Sequence, residues 1–327
     1  MKKLTLTAIA VAAAFAASAN AAEVYKADNL ALSVGGRVEA RTELSDQGKN
    51  DVLKNDSQAD ISRARLNVDA KTNITDDIFA HGFIENEYTK DKSNNTRYLY
   101  VGIGNANNEV QYGKTDGSLG LITDFTDILN TYGAEASSKS VTADRADNQA
   151  LYIGNFGDLT VKANYNSGGE AVKVNGQSLT IQDGYGAAAS YDFHLFKLGA
   201  GYAEEAYNAG ARTSDDHSKN LLVGLSSNLT DALYVAALYV NGSKMGDDFQ
   251  GYELAGSYAF TEKLTLASTF TSAKFDSEKN LKDDTRDQAA LDLGYQFTDY
   301  FKTYAGVSKK FTQDEELKGM LGAKVTF

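Results

Sequence analysis

Large apolar side chains recur at every second residue along most of the chain, and polar side chains fill the positions between them. The pattern is clear in one segment, where apolar residues alternate with polar ones: Leu159, Val161, Ala163 and Tyr165 against Thr160, Lys162, Asn164 and Asn166. Successive side chains of a β-strand point to opposite faces, so a period of two predicts strands with one apolar and one polar face. Because the pattern extends from residue 30 to the C-terminus, the sequence predicts an all-β protein.

The polar faces of the predicted strands carry full charges. In residues 30–43 one parity is apolar, and the other holds Arg37, Glu39, Arg41 and Glu43. Soluble β-sandwiches also alternate, but here too few segments are apolar on both faces to build a second layer. The exception is residues 232–240, which would suit a strand buried at a subunit contact.

The first residues have the order of an export signal. Two lysines follow Met1, residues 4–17 are apolar and uncharged, and small residues occupy the cleavage positions at Ala19 and Ala21. The apolar run is too short to remain as a membrane anchor, which needs about 20 residues. We therefore predict that residues 1–21 are a signal peptide that is removed, and that residues 22–327 form a single domain. A buried N-terminal helix is the alternative.

The composition limits the classes of protein to which the exported chain can belong. Charges and glycines interrupt every later apolar stretch, which leaves a soluble exported protein or a β-barrel of the outer membrane. The absence of proline, which cannot donate to a sheet ladder, favours a chain that is mostly paired strand. There is no cysteine to form disulfides, and Tyr (19) and Phe (15) must supply any interfacial aromatic belt because Trp is absent.

The acidic balance argues against one class of partner. The formal net charge is −12, and it becomes −14 when Lys2 and Lys3 leave with the signal, so we expect no binding to nucleic acid. We also expect no cofactor and no metal, because three isolated histidines without cysteine give no metal-ligand spacing. The charge alone identifies no function.

Short connections with a shared chemistry separate the predicted strands. They contain Thr, Asp and Asn, whose side chains bond nearby backbone groups and close tight turns, at residues 73–76, 155–158, 228–231, 260–263 and 297–300. Longer polar stretches, such as residues 45–57 and 207–218, lie between them. Short turns at one end and long loops at the other are typical of outer-membrane β-barrels.

Counting the alternating segments gives about sixteen strands. They lie at residues 30–44, 59–72, 77–90, 95–105, 108–115, 146–155, 158–167, 183–193, 194–206, 218–228, 232–243, 249–260, 263–275, 285–297, 300–312 and 317–327. A barrel of this size encloses an aqueous lumen, whereas eight strands would enclose only side chains. The sequence therefore predicts a 16-stranded antiparallel transmembrane β-barrel, with fourteen or eighteen strands as alternatives.

The alternation fails between Lys114 and Ser140. This stretch carries six large apolar residues: Leu119, Leu121, Ile122, Phe125, Ile128 and Leu129. An exposed loop of this kind would leave an apolar patch without cover. We therefore predict that a loop at about residues 114–140, the third at the long-loop end of the barrel, folds inward onto the barrel wall and narrows the pore. Packing at a subunit interface is the alternative.

Several segments together resemble one known family. They are Thr96-Arg97-Tyr98-Leu99, Gln111-Tyr112-Gly113-Lys114, Phe125-Thr126-Asp127-Ile128-Leu129 with Tyr132-Gly133, the start Ala22-Glu23-Val24-Tyr25-Lys26 and the final Phe327. In this combination the chain is similar to the general trimeric porins of the Gram-negative outer membrane. The resemblance covers the chain after the signal, and it is specific around residues 96–133 and at both ends.

The resemblance implies a pore constriction with two charged sides. The third loop would bend into the lumen, with acidic residues facing a ladder of basic residues on the opposite wall. The basic wall carries over onto four residues: Arg37, Arg65, Arg97 and Arg145. The acidic side carries over onto Asp127, with Glu85 as a lumen carboxylate near the arginines.

The loop tip departs from the family pattern. Residues 130–135 read Asn-Thr-Tyr-Gly-Ala-Glu, where the family usually has a proline and a glutamate before the aromatic residue. The second loop carboxylate is therefore missing, or it is replaced by Asp124 or Glu135. For this reason a preference for cations or anions does not carry over from the family.

The residues themselves support part of this arrangement. Arg37 and Arg65 lie on the polar parity of their strands, and an arginine facing lipid at the bilayer midplane would cost about 2–4 kcal/mol. Guanidinium groups facing carboxylates across a water-filled gap create a transverse field, in which polar solutes align and apolar solutes must displace ordered water. We therefore expect passive, size-limited diffusion of small hydrophilic solutes and ions. The alternative for each arginine is a solvated charge without effect on selectivity.

The resemblance also implies partners. Apolar alternation that ends in Phe327 resembles the signal read by the barrel assembly machinery, and pairing of the last strand with the first would remove both sheet edges. A homotrimer in contact with outer-membrane lipid and lipopolysaccharide is implied by the resemblance alone.

Three other functions are left open. A channel selective for a substrate such as an oligosaccharide would line its lumen with rings, to which Phe79, Phe83 and Tyr132 could contribute. A structural or adhesive barrel would conduct nothing. An outer-membrane enzyme would need a positioned nucleophile and base, and His81, His194 and His217 form no evident cluster.

Overall fold

The computed structural model describes residues 21–45, 58–90, 93–133, 136–174, 177–208, 217–276, 284–312 and 316–327. Within these residues the strands are β1 (Ala22–Ala27), β2 (Leu30–Ser45), β3 (Gln58–Asp60), β4 (Arg63–Asn73), β5 (Phe79–Thr89), β6 (Asn94–Gly104), β7 (Asn108–Asp116), β8 (Arg145–Phe156), β9 (Leu159–Asn166), β10 (Ala171–Val174), β11 (Gln177–Asp192), β12 (Lys197–Tyr207), β13 (His217–Asn228), β14 (Leu233–Lys244), β15 (Asp247–Ala259), β16 (Leu264–Asp276), β17 (Asp284–Thr298), β18 (Phe301–Lys310) and β19 (Leu317–Thr326). The helices are α1 (Gly120–Thr123) and α2 (Val141–Asp144). Neither helix in the described part of the chain is long and apolar enough to cross a membrane.

Sixteen of the strands form a closed barrel. Each pairs antiparallel with its neighbours, and β19 pairs with β2 from Lys318 opposite Ser45 to Thr326 opposite Arg37, which joins the two ends of the sheet. The short strands β1, β3 and β10 add to β2 and β11 near the rims. The predicted 16-stranded antiparallel barrel is confirmed. Most strand bounds agree within a few residues, and β11 begins earlier than predicted, at Gln177.

The inner and outer faces of the barrel wall differ as the alternation predicts. On β15, Glu253 points inward and is only 1% exposed, whereas Leu254 beside it points outward and is 49% exposed. Val101 on β6 is 65% exposed on the same outer surface. Many other large apolar side chains of the wall are exposed as well, and a soluble monomer rarely exposes so extended an apolar surface. An apolar outer surface around a polar interior suits a barrel surrounded by hydrocarbon.

Threonine side chains close short turns at one end of the barrel. The Thr230 hydroxyl accepts the backbone N–H groups of Ala232 (3.2 Å) and Leu233 (3.0 Å). The same pair of bonds recurs in the turns after β4, β15 and β17, where the acceptors are Thr75, Thr261 and Thr298. The turn chemistry predicted from the sequence therefore has a direct structural basis, because one hydroxyl satisfies two backbone donors.

The strand that is apolar on both faces is β14. Its inner-face residues Ala236, Leu238 and Val240 are buried in clusters with apolar residues of the segment between β7 and β8. Its outer-face residue Tyr239 is exposed. Packing within one chain thus accounts for the two-sided pattern, which the sequence suggested could mark a subunit contact.

The C-terminal residue completes the junction between the first and last barrel strands. The Gly36 N–H donates to the Phe327 carbonyl (2.8 Å), and the Phe327 N–H donates to the Gly36 carbonyl (3.0 Å). A Cβ at residue 36 would lie 3.0 Å from Cζ of Phe327 and 2.3 Å from the carbonyl oxygen of Arg65, so only glycine leaves room for the ring. Strand β1 then pairs with the next part of β2, with Ala22 opposite Val34.

Deleting Phe327 is expected to lower the yield of folded barrel more than it changes the barrels that form. The deletion removes two backbone hydrogen bonds and a ring contact at the closing seam, while the register of β19 on β2 stays intact. The folded fraction is measured by gel mobility of unheated protein, and each assembled barrel by its conductance in a bilayer. Phe260→Ala, at an exposed turn away from the seam, is the control. An equal loss of folding in both variants would contradict the prediction.

Candidate functional site

The segment between β7 and β8, residues 117–144, is called the inner loop below, and its described part lies inside the barrel. Its described residues are 117–133 and 136–144. Leu119 and Ile122 are fully buried and Phe125 is 6% exposed. They pack against inner-face residues of the wall, including Leu222 on β13 and Ala236 on β14. The barrel wall therefore covers the apolar residues that break the strand alternation.

Glycines on the inner faces of β12 and β13 receive the inner loop. A Cβ at Gly199 would lie 2.6 Å from Cδ1 of Ile122, and a Cβ at Gly224 would lie 2.8 Å from Cδ2 of Phe125. Real Cβ atoms do not approach other carbons this closely. A larger residue at either position would force the side chain of Ile122 or Phe125 to shift.

Buried carboxylates of the wall hold the inner loop by hydrogen bonds. Glu253 on β15 accepts the Thr126 hydroxyl (2.5 Å) and the Ala136 backbone N–H (2.8 Å). Asp292 on β17, also 1% exposed, accepts both the backbone N–H (3.1 Å) and the side-chain amide (2.9 Å) of Asn130. A buried polar group left without a partner costs about 1–3 kcal/mol. Wall and inner loop therefore stabilise each other.

Three further wall side chains hold the ends of the inner loop in the same way. Backbone N–H groups of the loop donate to side-chain oxygens of the wall: Ser118 to Asn164 (2.9 Å), Ser140 to Asn220 (3.0 Å) and Thr142 to Glu205 (2.6 Å). The inner loop is thus attached along its length, from β9 to β17, rather than at its tip alone.

Strand β7 is irregular immediately before the inner loop. Gly113 has a φ of +135°, and a Cβ there would lie 2.3 Å from the Leu99 carbonyl oxygen. The pairing of β7 with β8 shifts register between Gly113 and Thr115. Such a bulge bends the strand and re-aims the residues after it, which directs the chain toward the barrel interior.

The predicted basic residues lie on the inner faces of neighbouring strands. Arg37 on β2 lies directly opposite Arg65 on β4 in the strand ladder. Like charges opposite each other on one face destabilise a sheet. Other contacts must therefore hold this pair together.

A bulge on β6 brings a third arginine to the same wall. Tyr98 pairs with Glu85 and Thr96 pairs with Asn86, so Arg97 has no partner in the ladder. As a result of this bulge, Arg97 and Tyr98 both point inward. Arg97 bonds to the buried Glu85, and Tyr98 lines an internal cavity. Period-two alternation alone would place these two neighbours on opposite faces.

Three glutamates pair with the four arginines of this wall and neutralise most of their charge. The pairs are Glu39 with Arg63 (2.7 Å) and with Arg37 (3.3 Å), Glu85 with Arg97 (2.8 Å), and Glu87 with Arg65. Glu85, expected from the resemblance to be a lumen carboxylate near the arginines, lies beside Arg97. Three further residues of the site, Glu39, Arg63 and Glu87, were not predicted from the sequence. Glu39 shares the parity of Arg37, and that signal was available.

Arg145 on β8 lies directly opposite Asp116 on β7 in the strand ladder. Nε of Arg145 is 3.7 Å from Oδ1 of Asp116. A cavity of about 450 Å³ lies between the inner loop and strands β4 to β9. Arg145 lines it together with Asp124, Asp127 and Asp144 of the inner loop. Of the four predicted arginines, Arg145 is among the described residues that line this cavity. The other three lie on the adjacent wall formed by β2, β4 and β6.

The carboxylates of the inner loop differ in acidity. Burial raises the pKa of Asp124 to about 6, although Lys162 and Lys139 oppose the change. Burial also raises the pKa of Asp127. For Asp144, burial acts in the same direction but is outweighed by Lys139, whose Nζ lies 2.6 Å from Oδ1, and the pKa is lowered. Asp124 is therefore charged at neutral pH and keeps only about a tenth of its charge near pH 5.

Two predictions fall on residues that are not described. Glu135, the other candidate for the second loop carboxylate, and residues 1–20 of the predicted signal peptide lie outside the described residues. The assignments of Glu135 and of the signal peptide therefore stay predictions.

One histidine has charged partners that the sequence did not suggest. His81 lies between Asp69 (3.0 Å from Nδ1) and Glu109 (2.9 Å from Nε2) on the inner wall. An ionised carboxylate only accepts hydrogen bonds, so two ionised partners favour a ring that carries a proton on each nitrogen. Within the described ranges there is no group of three His, Cys, Asp or Glu residues that could hold a metal ion.

Relatives of this chain are found by sequence. A family model described as Gram-negative porin matches residues 7–315. The chain is 38% identical to porin-like protein L of Photobacterium profundum, over 92% of this chain and 90% of that protein. It is 36% identical to outer membrane protein U of Vibrio parahaemolyticus, over 100% of this chain and 95% of that protein. Outer membrane porin PhoE of Klebsiella oxytoca is 28% identical over 80% of this chain and 78% of PhoE.

Solved structures share the fold at low sequence identity. OmpF of Salmonella typhi, solved in complex with daunomycin, matches with a TM-score of 0.80 and 17% identity over 94% of this chain and 100% of that chain. OmpT of Vibrio cholerae in its trimer form matches with a TM-score of 0.71 and 14% identity over 92% of this chain and 100% of that chain. From the family match, the relatives and the closed barrel, the chain belongs to the Gram-negative porins and is a porin of the outer membrane.

Proposed function

We propose that this porin passes small hydrophilic solutes and ions through a water-filled lumen constricted by the inner loop. One observation carries the proposal. The inner loop is bonded to the wall from β9 to β17, with Glu253 and Asp292 as its central anchors. A loop held in this way cannot swing out of the lumen without leaving buried carboxylates unpaired.

Charges of both signs support a selective constriction. The four predicted arginine side chains are each partly exposed: Arg37 27%, Arg65 16%, Arg97 18% and Arg145 20%. They remain in contact with water while carboxylates fix their positions. Asp127 and Asp124 of the inner loop would face them as the acidic side. Fixed opposite charges across water create a transverse field that favours polar solutes over apolar ones.

The assembly and partners belong to the same proposal. A homotrimer is supported by the resemblance to trimeric porins and by the trimer form of the structural neighbour OmpT. Lipid and lipopolysaccharide would contact the apolar outer face. The barrel assembly machinery would read the C-terminal strand that ends in Phe327, after export directed by residues 1–21. Passive diffusion needs no catalytic group, and we propose none.

Neutralising two arginines together, Arg65→Gln with Arg97→Gln, is expected to raise the permeability ratio of cations to anions by about fivefold. The removal of two positive charges of the wall, each worth roughly 0.5 kcal/mol at a hydrated site, gives this magnitude. The measurement is the reversal potential in a KCl gradient. Arg65→Lys with Arg97→Lys should keep the wild-type ratio because both charges remain, and Lys173→Gln in the exposed strand β10 should change nothing. An unchanged ratio in the Gln variant would remove the arginine wall from the proposed mechanism.

The raised pKa of Asp124 predicts a pH-dependent contribution to selectivity. At pH 7.5 this carboxyl is charged, so Asp124→Asn should lower the permeability ratio of cations to anions relative to wild type. Near pH 4.5 the carboxyl is protonated in the wild type, and the two proteins should coincide. Reversal potentials at both pH values test this, with Asp248→Asn on the outer face of β15 as control. A difference that persists at pH 4.5 would contradict the assignment.

Loosening the inner loop is expected to increase conductance. Glu253→Ala removes the acceptor of two bonds, from the Thr126 hydroxyl and the Ala136 N–H, so single channels should show a larger and noisier current. Asp292→Ala, which frees Asn130, should act in the same direction. Asp248→Ala, on the opposite face of the strand that carries Glu253, is the matched control. Wild-type conductance in both anchor variants would count against a constriction by the inner loop.

A further inference from the structure

Five rings form a continuous column on the inner faces of β5 and β6. The centroid distances are 5.9 Å from Phe79 to His81, 5.6 Å from His81 to Tyr100, 5.5 Å from Tyr100 to Phe83 and 5.9 Å from Phe83 to Tyr98. These spacings are those of interacting aromatic pairs. All five rings line the cavity of about 450 Å³ beside the inner loop, and none is fully buried. The ring column therefore faces the lumen.

Cations of the chain itself occupy both ends of the ring column. The Lys71 ammonium lies 3.9 Å from the centroid of Phe79, near the short-turn end of the barrel. The Arg145 guanidinium lies 4.5 Å from the centroid of Tyr98, beside the inner loop. Both distances fall within the range of cation–π contacts. The ring column thus extends from the proposed constriction toward the short-turn end of the lumen.

Polar groups with fixed positions flank the rings. Glu109 bonds both to His81 (2.9 Å) and to the Gln111 side chain (2.6 Å), and the Tyr98 hydroxyl donates to Asp116 (2.7 Å). Each carboxylate has about four lone-pair sites, so these groups keep acceptor capacity beyond their present bonds. The cavity therefore combines aromatic surface with hydrogen-bonding groups beside it.

A glycine keeps the ring column continuous. A Cβ at Gly102 on β6 would lie 2.5 Å from Nε2 of His81. The ring of His81 therefore lies close against the backbone of β6, in space that any other residue would occupy. This close approach brings His81 into contact with both Phe79 and Tyr100.

We propose that the ring column binds the pyranose rings of a short neutral saccharide as it passes through the lumen. A pyranose has flat faces of C–H groups and a rim of hydroxyls. The faces suit contact with aromatic rings, and the rim suits the carboxylates, Gln111 and the hydroxyl of Tyr98 beside them. The cavity volume lies in the range of small-molecule sites, roughly 300–1,000 Å³.

Two other classes of ligand fit less well. An organic cation would need unpaired carboxylates and free ring faces at the ends of the ring column. Instead Asp69, Glu109 and Asp116 have cationic partners within the chain, and Lys71 and Arg145 already cover the end rings. A purely apolar ligand would strip water from these charges, which is costly.

The test uses a linear glucose trisaccharide added to single channels of the whole protein in a planar bilayer. The proposal rests on the channel function, and it expects a saturable reduction of the ion current. Phe83→Leu and, separately, Tyr100→Leu should raise the half-saturating concentration about tenfold, because each replaces a ring by an aliphatic side chain of smaller contact surface. Tyr112→Ala removes an outward-facing ring on the adjacent strand β7, which is 59% exposed, and should leave the block unchanged.

Calorimetric titration of detergent-solubilised porin measures the same binding without reference to conductance. Saturable binding to the wild-type protein that weakens in both ring variants supports the site. No saturable binding to the folded wild-type protein overturns it, as does equal binding in wild type and both variants. A current that is blocked by benzylammonium and not by the trisaccharide would also overturn it. Absence of any ion current, with saccharide binding retained, would instead refute the channel.

Discussion

In hydrocarbon no water is present to bond the backbone, so every N–H and C=O group of a spanning segment must find its partner within the protein. A sheet meets this requirement only when it closes on itself. Here closure depends on the pairing of β19 with β2, which the reciprocal bonds of Gly36 and Phe327 complete. Once the sheet is closed, the outer face can be apolar and the inner face can carry charge. The water-filled interior and all of its chemistry follow from that separation.

A lumen enclosed by sixteen strands needs a further element to narrow it. In the proposed function the inner loop supplies this element, and its sequence combines two kinds of attachment. Leu119 and Ile122 remove apolar surface from water against small residues of the wall. Glu253 and Asp292 would be costly to bury alone, and their bonds to the loop make each side necessary for the other. This mutual dependence gives the loop a fixed position, which a selective passage requires.

The charges of the interior are arranged in ion-paired groups rather than as two simple layers. Arg37 and Arg65 face each other across a ladder position that would be unfavourable by itself. Glu39 and Glu87 stabilise them from the neighbouring positions. Beyond Arg97, the ring column lines the lumen along β5 and β6. A solute passing the constriction would therefore meet fixed charges first and aromatic surface next.

Much of the architecture was predictable because it depends on local periodicity. Alternation fixes which face of each strand is apolar, and the number of alternating segments gave sixteen strands, as the structure has them. The same reasoning identified the residues around 119–129 as a segment that needs cover. Arg37 and Arg65 were placed on the polar face by parity alone.

The amino-acid sequence by itself therefore determined the sheet, its two faces and the stretch of chain that could not be a strand. The tertiary structure decided which residues meet. Thr126 and Glu253 lie 127 positions apart and are joined only by the path of the loop across the barrel. Arg97 turns inward through a bulge that depends on the register of β5 with β6, and this register also places Glu85 among the arginines. Periodicity is a property of neighbours along the chain, whereas register and loop packing arise from contacts between distant segments.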